Sequence, residues 1–491
     1  MNIKKILKDR YNLIFIAILV FAFILRLKYF NINQALWFDE AEYLSIAKNW
    51  AYGLSYPVSM LRPPLYPLFA AIAYILGFGS ELFFRFIELI FSVGSVFITY
   101  LLGKEVYNKK VGLIASFLMS FFYLNLFFTA RLMTDIPTLT LWLLAFYLFW
   151  KGYVKKESKK YLWCAGFVIS LGTLIRYTVL MVGIVLLIYL LFSEGLKFLK
   201  KKQLWIFALV SFLTLTPYMI WSYKIYGKIG FLFAGTSYGS KLNLFNYLKF
   251  FPTYLHSPIP FFNTAIFQIF LILFLGGIGI SLFNIILGWD LIKKENKLKS
   301  DLFMIIAILV PLLYFSRVPS FEPRYLLYIF PAVFFFIAKA ILDIEKYLKK
   351  YHKVLAISIM ILILFLGAYH QIKLADNMIK SKATSFIQFR QAGEWIKQNS
   401  EPNDLVITDG APMIQYYSDR EVIGWVAEED FLDHINEQKP KYMILSAIER
   451  APDWAYSWPD NNKNIIMPVM AYYLDAEKTK PLLVIYQFMY P

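Results

Sequence analysis

Residues 35–43 read Ala35-Leu36-Trp37-Phe38-Asp39-Glu40-Ala41-Glu42-Tyr43, and they follow an apolar run at 12–30. A bilayer core of roughly 30 Å is crossed by about 20 apolar residues in a helix. The run therefore spans a membrane, and the acidic stretch lies just past its end. No small-residue cleavage site follows, so the run reads as a retained helix and not as a secretory signal. Further apolar runs lie at 84–102, 111–128, 136–150, 161–176, 178–192, 204–222, 262–288, 302–316, 324–342 and 354–370, which makes eleven spans. A twelfth stretch, 64–78, opens on Pro63-Pro64 and carries Pro67 in its first turn. It is short for a span and suits an interfacial or re-entrant helix.

Composition agrees. The 491 residues are 59% hydrophobic and 17% charged, against about a quarter charged in a soluble domain. The single cysteine, Cys164, excludes a disulfide framework, a cysteine zinc site and an iron–sulfur cluster. A net charge of +17 would ordinarily raise nucleic-acid binding, but the positive charge sits between apolar runs, where it sets topology. With the N-terminus in the cytoplasm, the inner loops carry 24 basic residues and the outer loops 11. Counting 64–78 as a crossing would destroy that alternation.

From residue 371 onward the pattern changes. Residues 371–491 hold 12 basic and 17 acidic side chains. Helical patterns at 386–399 and 428–438 alternate with strand-like runs at 405–408, 442–445 and 482–486. The expectation is a polytopic α-helical membrane protein of about 11 transmembrane helices, residues 1–370, with a soluble α/β domain at 371–491. The outer loop 31–83 carries the interfacial helices. An odd number of spans places the C-terminal domain outside the plasma membrane.

Arginine usage points to the chemistry. Of 11 arginines, only Arg10 lies in an inner loop, whereas Arg62, Arg85, Arg131, Arg176, Arg317 and Arg324 lie at outer ends of spans or in outer loops. Lysine suffices as a topological charge, while arginine makes bidentate contacts with phosphate or carboxylate. Six at one face suggest an anionic-ligand site, although each alone would also serve to fasten a helix end, as Arg85 with Glu88. Asp39, Glu40, Glu42, Asp135 and Glu322 share that face. Carboxylates at the rim of apolar helices are costly unless paired or used. The structural alternative makes Asp39 the N-cap of a helix at 40–52, with Pro137 marking a helix start after Asp135. Arg26 either pairs with Asp39 or snorkels. Phosphate-binding GxxxxGK[ST], HExxH and GxSxG motifs are absent, which argues against a pump or ATPase.

The Phe38-Asp39-Glu40-Ala41-Glu42-Tyr43 stretch, Arg62-Pro63-Pro64-Leu65-Tyr66 and the outer Arg131–Asp135 loop together resemble the GT-C superfamily. Within it, the chain resembles the branch of protein O-mannosyltransferases and bacterial lipid A aminoarabinose transferases, over about residues 10–370. The resemblance implies an inverting glycosyltransferase that moves sugar from a polyprenyl-phosphate carrier to an acceptor at the outer face. It implies that Asp39 is the catalytic carboxylate. A base is needed for the attacking hydroxyl, with Glu40 and Asp135 as further catalytic candidates. Arg62, Arg131, Arg176, Arg324 and Tyr325 are candidates for the donor phosphate; Glu42, Tyr43 and Glu322 complete the set. The expected partners are the lipid-linked donor, a protein, lipid or glycan acceptor and membrane lipids, without nucleic acid. Charge also allows a divalent cation, Mg²⁺ or Mn²⁺, on Asp39 and Asp135. The Trp-Trp-Asp-Tyr-Gly motif of the related oligosaccharyltransferases has only a loose counterpart, Asp453 to Asp460, which reads as a surface turn with aromatic anchors. A lipid-linked glycan polymerase or ligase would use the same arginines without Asp39 as base. A transporter would place its charges near the midplane, within paired broken helices.

Overall fold

A computed structural model of the chain describes residues 9–54, 56, 59–233, 243–259, 267–292, 295–318, 321–473 and 477–490. Lys4, Lys5, Lys8, Lys241, Lys293 and Lys294 of the charge count, and the start of the run at 262–288, lie outside the described residues. The chain divides into two units. One comprises Met1–Phe30, Arg85–Ala130 and Thr134–Lys380; the other comprises Asn31–Phe84, Arg131–Met133 and Ser381–Pro491.

The first unit is helical, and the chain is a multi-pass membrane protein. Among the described residues, eight helices are long and apolar enough to cross: Arg10–Leu27, Glu81–Val106, Tyr177–Lys200, Lys202–Tyr226, Ile269–Leu287, Asn296–Phe315, Pro323–Leu348 and Lys353–Ser381. A ninth is the pair Lys109–Phe121 and Tyr123–Thr129, bent by 53°, because Phe122 takes an extended ψ of 121°. The other two runs form the shorter helices Asp135–Phe149 and Lys159–Ile175, of 15 and 17 residues. A total of eleven therefore depends on counting two helices below full spanning length. Leu65–Ile75 has 11 residues, about 17 Å of helix, which cannot cross.

Packing in this unit uses small and polar residues where helices meet. A Cβ on Gly112 would lie 2.7 Å from the Tyr100 carbonyl oxygen, and one on Gly103 would lie 2.8 Å from Gly112 Cα. Arg26 is buried. It donates to Ser92 Oγ at 2.6 Å, to Asn125 Oδ1 at 2.5 Å and to the carbonyls of Ala22 and Ser120. The snorkelling alternative is thus overturned: Arg26 stands in the last turn of its helix, but neighbouring helices enclose it, and polar side chains and carbonyls solvate it in place of water.

The second unit contains a five-stranded sheet. Its strands are β1 (Val406–Ile407), β2 (Val422–Ile423), β3 (Tyr442–Ser446), β4 (Ile466–Tyr473) and β5 (Pro481–Phe488), in the order β2-β1-β3-β5-β4. β1 pairs in parallel with β2 and β3, while β5 runs antiparallel to β3 and β4. Parallel pairing requires crossovers, here through the helices Ala411–Ser418 and Phe431–Gln438. β3 is buried throughout, and its alternate residues feed two cores. Tyr442 and Ile444 join Phe389, Ile396, Val406 and Leu483 on one face. Met443 and Leu445 join Ile407, Phe431 and Trp458 on the other. The first core also takes in Ala41, Leu44 and Ala47 of helix Phe38–Tyr52, and Ala70 and Ala71 of helix Leu65–Ile75. The stretch 31–84 thus packs with the C-terminal residues, because its alanine-rich helix faces complete their core. Trp454 and Trp458 each lie 4.9 Å from Phe431, ring to ring, so the aromatic residues of the 453–460 turn are anchors.

Candidate active site

Helix Phe38–Tyr52 begins with Trp37 as its N-cap, and Asp39 and Glu40 stand in its first turn. Asp39 is therefore not the cap. The capping work falls to Glu40, whose Oε2 accepts from the Trp37 backbone N–H at 2.6 Å, while Oε1 accepts from Leu132 N–H at 2.7 Å. Arg131 Nη1 stands 3.8 Å from Glu40 Oε2, and the two side chains are 1% and 2% exposed. The Arg131 guanidinium lies 3.9 Å over the Trp37 ring and donates to the Lys382 carbonyl at 2.8 Å. Glu40 and Arg131 thus tie the 131–133 segment to the helix start. Both side chains are buried among these contacts.

Asp39 and Glu42 leave the same helix one turn apart and meet Arg62. Arg62 Nη2 donates to Asp39 Oδ1 at 2.6 Å and Nε to Glu42 Oε2 at 2.6 Å. The guanidinium also lies 5.1 Å from the Tyr43 ring centre. Burial alone would lower the Arg62 pKa, but Tyr43, Asp39 and Glu42 outweigh it and raise it. Arg62 is therefore a permanent cation held between two carboxylates. The Asp39 side chain keeps 24% of its exposure. Two carboxylates on one arginine make this cluster net negative, which suits a base better than a phosphate site.

The other cluster lies in the first unit. Asp135 opens helix Asp135–Phe149 and is 0% exposed. Arg176 Nη1 lies 3.1 Å from its Oδ1, and Arg324 Nη1 lies 3.8 Å from its Oδ2. Both arginines sit where helix geometry breaks. Arg176, extended at φ −154°, ends helix Lys159–Ile175, and Arg324 lies in the 3₁₀ segment Pro323–Ile329. Arg176 also donates to Thr134 Oγ1 at 3.2 Å. Glu322, half exposed, stands 3.9 Å from Arg324 Nε. Tyr325 stacks on Phe315 at 5.0 Å. One buried carboxylate stands between two arginines, the second of which also meets Glu322. Arg317 is exposed, while Arg85 and Glu88 are buried.

These residues do not fit a divalent cation. Each carboxylate named for it faces guanidinium groups, Asp39 that of Arg62 and Asp135 those of Arg176 and Arg324. Among the described residues no three His, Cys, Asp or Glu side chains converge on a common point. Sequence reasoning missed two elements. Trp37, as the plate under Arg131, had no signal beyond its neighbours. Lys339, paired with buried Asp301 at 2.5 Å, was visible as charge inside apolar runs.

Residues 61–221 match the family described as dolichyl-phosphate-mannose-protein mannosyltransferase. Among solved structures, the chain is similar to apo ArnT from Cupriavidus metallidurans, with TM-score 0.67 and 11% identity over 96% of this chain and 97% of that one. The same protein bound to undecaprenyl phosphate gives TM-score 0.63 at 11% identity, with the same coverage of both chains. The chain has the GT-C glycosyltransferase fold. The oligosaccharyltransferase of Archaeoglobus fulgidus, tethered to an acceptor peptide, shares it at TM-score 0.60 and 16% identity, over 88% of this chain and 69% of that one. Among curated protein sequences none matches significantly.

Proposed function

We propose that this chain is a membrane glycosyltransferase that moves a sugar from a polyprenyl-phosphate donor to a protein, lipid or glycan acceptor at the outer face of the plasma membrane. The partial family match and the similarity to proteins crystallised with undecaprenyl phosphate or bound to dolichol phosphate support the substrate class. The observation that carries the assignment of the base is the division of labour after the first span. Glu40 is consumed by backbone contacts, whereas Asp39 stays reachable beside a permanent cation.

In the proposed reaction the acceptor oxygen attacks the anomeric carbon and its proton passes to the Asp39 carboxylate. The bond from that carbon to the phosphate oxygen breaks, and its electron pair leaves with polyprenyl phosphate. Attack opposite the leaving group inverts the anomeric centre. Arg176 and Arg324 are assigned to the phosphate, whose charge grows as the bond breaks. Arg62 is reassigned from the phosphate to Asp39, which it holds by a hydrogen bond. Arg131 and Glu40 are positioning residues. The eleven-span count, an outer C-terminal domain and an inner N-terminus complete the proposal.

The test is release of sugar from polyprenyl-phosphate donors by purified protein in lipid. Asp39→Asn is expected to lower turnover by at least about a hundredfold while donor binding is retained. Unchanged turnover in a folded variant would remove Asp39 as the base.

A further inference from the structure

A second candidate lipid site lies in the first unit. Helices Arg10–Leu27, Lys109–Phe121 and Lys353–Ser381 enclose an apolar groove of about 510 Å³, lined by Ile14, Ile18, Phe21, Leu113, Phe117 and Leu364. At one end it opens into a polar depression of about 590 Å³ bearing Lys109, Lys110, Lys346 and Lys349. The two share Lys110, Leu342 and Glu345, so they form one continuous surface with an apolar shaft and a charged head. The lysines stand at helix termini: Lys109 and Lys110 open one helix, and Lys346 and Lys349 close Phe330–Leu348. That is the level at which a membrane helix meets headgroups.

We infer that this surface holds an anionic diacyl phospholipid, its phosphate among the lysines and an acyl chain in the groove. Charge complementarity carries the choice. Asp9, Asp343 and Glu345 face the four lysines and leave the rim net positive. Lys109 is held by Asp9 at 2.6 Å and Lys349 by Glu345 at 3.4 Å. Lys110 and Lys346 make no ion pair among the described residues, so their charge is available to a ligand. The depression is roomier than a bare phosphate requires, and the apolar shaft gives a free anion nothing. A polyprenyl carrier is disfavoured because this end bears the lysine excess assigned to the inner face, opposite the end that carries Asp135.

The full chain purified in detergent is mixed with phosphatidylglycerol and phosphatidylcholine of matched acyl chains, and retained lipid is counted by native mass spectrometry. Phosphatidylglycerol is expected to be retained roughly 25-fold better, at about fivefold for each of the two lysines. The double variant K110Q/K346Q should fall to the phosphatidylcholine level, and K110R/K346R should keep the preference. Ile14→Trp, which fills the groove, should reduce retention of both lipids. Equal retention of the two lipids by the unmodified chain overturns the proposal, whatever the variants do. Retention unaffected in K110Q/K346Q overturns it as well. Displacement of the bound lipid by millimolar inorganic phosphate would reduce the site to a free-anion pocket. Preferential replacement by undecaprenyl phosphate would reassign it to the carrier.

Discussion

Asp39 and Glu40 are adjacent in the chain and alike in chemistry, yet the helix start separates their roles. Glu40 points back along the first turn and satisfies two backbone N–H groups that would otherwise be orphaned. It also stands against Arg131, buried with it. Removing its charge leaves a buried guanidinium without its counterion, a loss of several kcal/mol in comparable pairs. Glu40→Gln should therefore lower stability by about 3 kcal/mol, read as a lower unfolding temperature in detergent. Asp39→Asn, at a half-exposed position with Glu42 still on Arg62, should leave unfolding nearly unchanged while activity is lost. Were the two variants to exchange behaviour, the division of labour would be reversed. The acidic stretch was legible as a site in the sequence, but its two leading carboxylates could not be ranked, because burial is set by Leu132 and Arg131, some 90 residues downstream.

At the scale of elements, helix Phe38–Tyr52 is fastened by its other end as well. Lys48 Nζ lies 2.7 Å from Asp419 Oδ1, and Lys397 of helix Ile387–Asn399 reaches Asp419 Oδ2 at 2.5 Å. Burial alone would raise the Asp419 pKa, but the hydrogen bonds and charges of Lys397 and Lys48 outweigh it and hold the carboxyl below its ordinary value. A depressed pKa contributes stability above the unfolded value near 4, and that contribution is lost as pH falls through the folded value. Unfolding followed from pH 6 to pH 3 should show the loss, and Asp419→Asn should flatten that part of the profile. At neutral pH the substitution should cost about 1–3 kcal/mol. An unaltered acid profile in the variant would mean other carboxylates govern it. The helices at 387–399 and 431–438 and strands β1, β3 and β5 were legible from periodicity. β2 and β4 were not: β2 is an isolated apolar pair between Glu421 and Gly424, and β4 carries Pro468 and a register shift, which mask alternation.

At the scale of the whole molecule, sidedness remains a prediction that one residue makes easy to check. Cys164 is the only cysteine, so Cys164→Ser supplies a silent background. Asp453→Cys, at a side chain 96% exposed, should react with an impermeant thiol reagent on intact cells. Lys110→Cys should react only after the membrane is opened. The opposite pattern would invert the topology and remove the outer-face reaction.

The sequence by itself determined the membrane class, the apolar runs that become helices and the non-crossing 64–78 segment. These follow from hydrophobic length and charge placement, which are properties of contiguous stretches. Only the tertiary structure decided that Arg62 belongs to Asp39 and Glu42, that Arg131 and Glu40 lock each other, and that Arg176 and Arg324 share Asp135. Those pairings join residues from about 20 to 190 positions apart, and burial and packing select among charges that a linear pattern leaves equivalent.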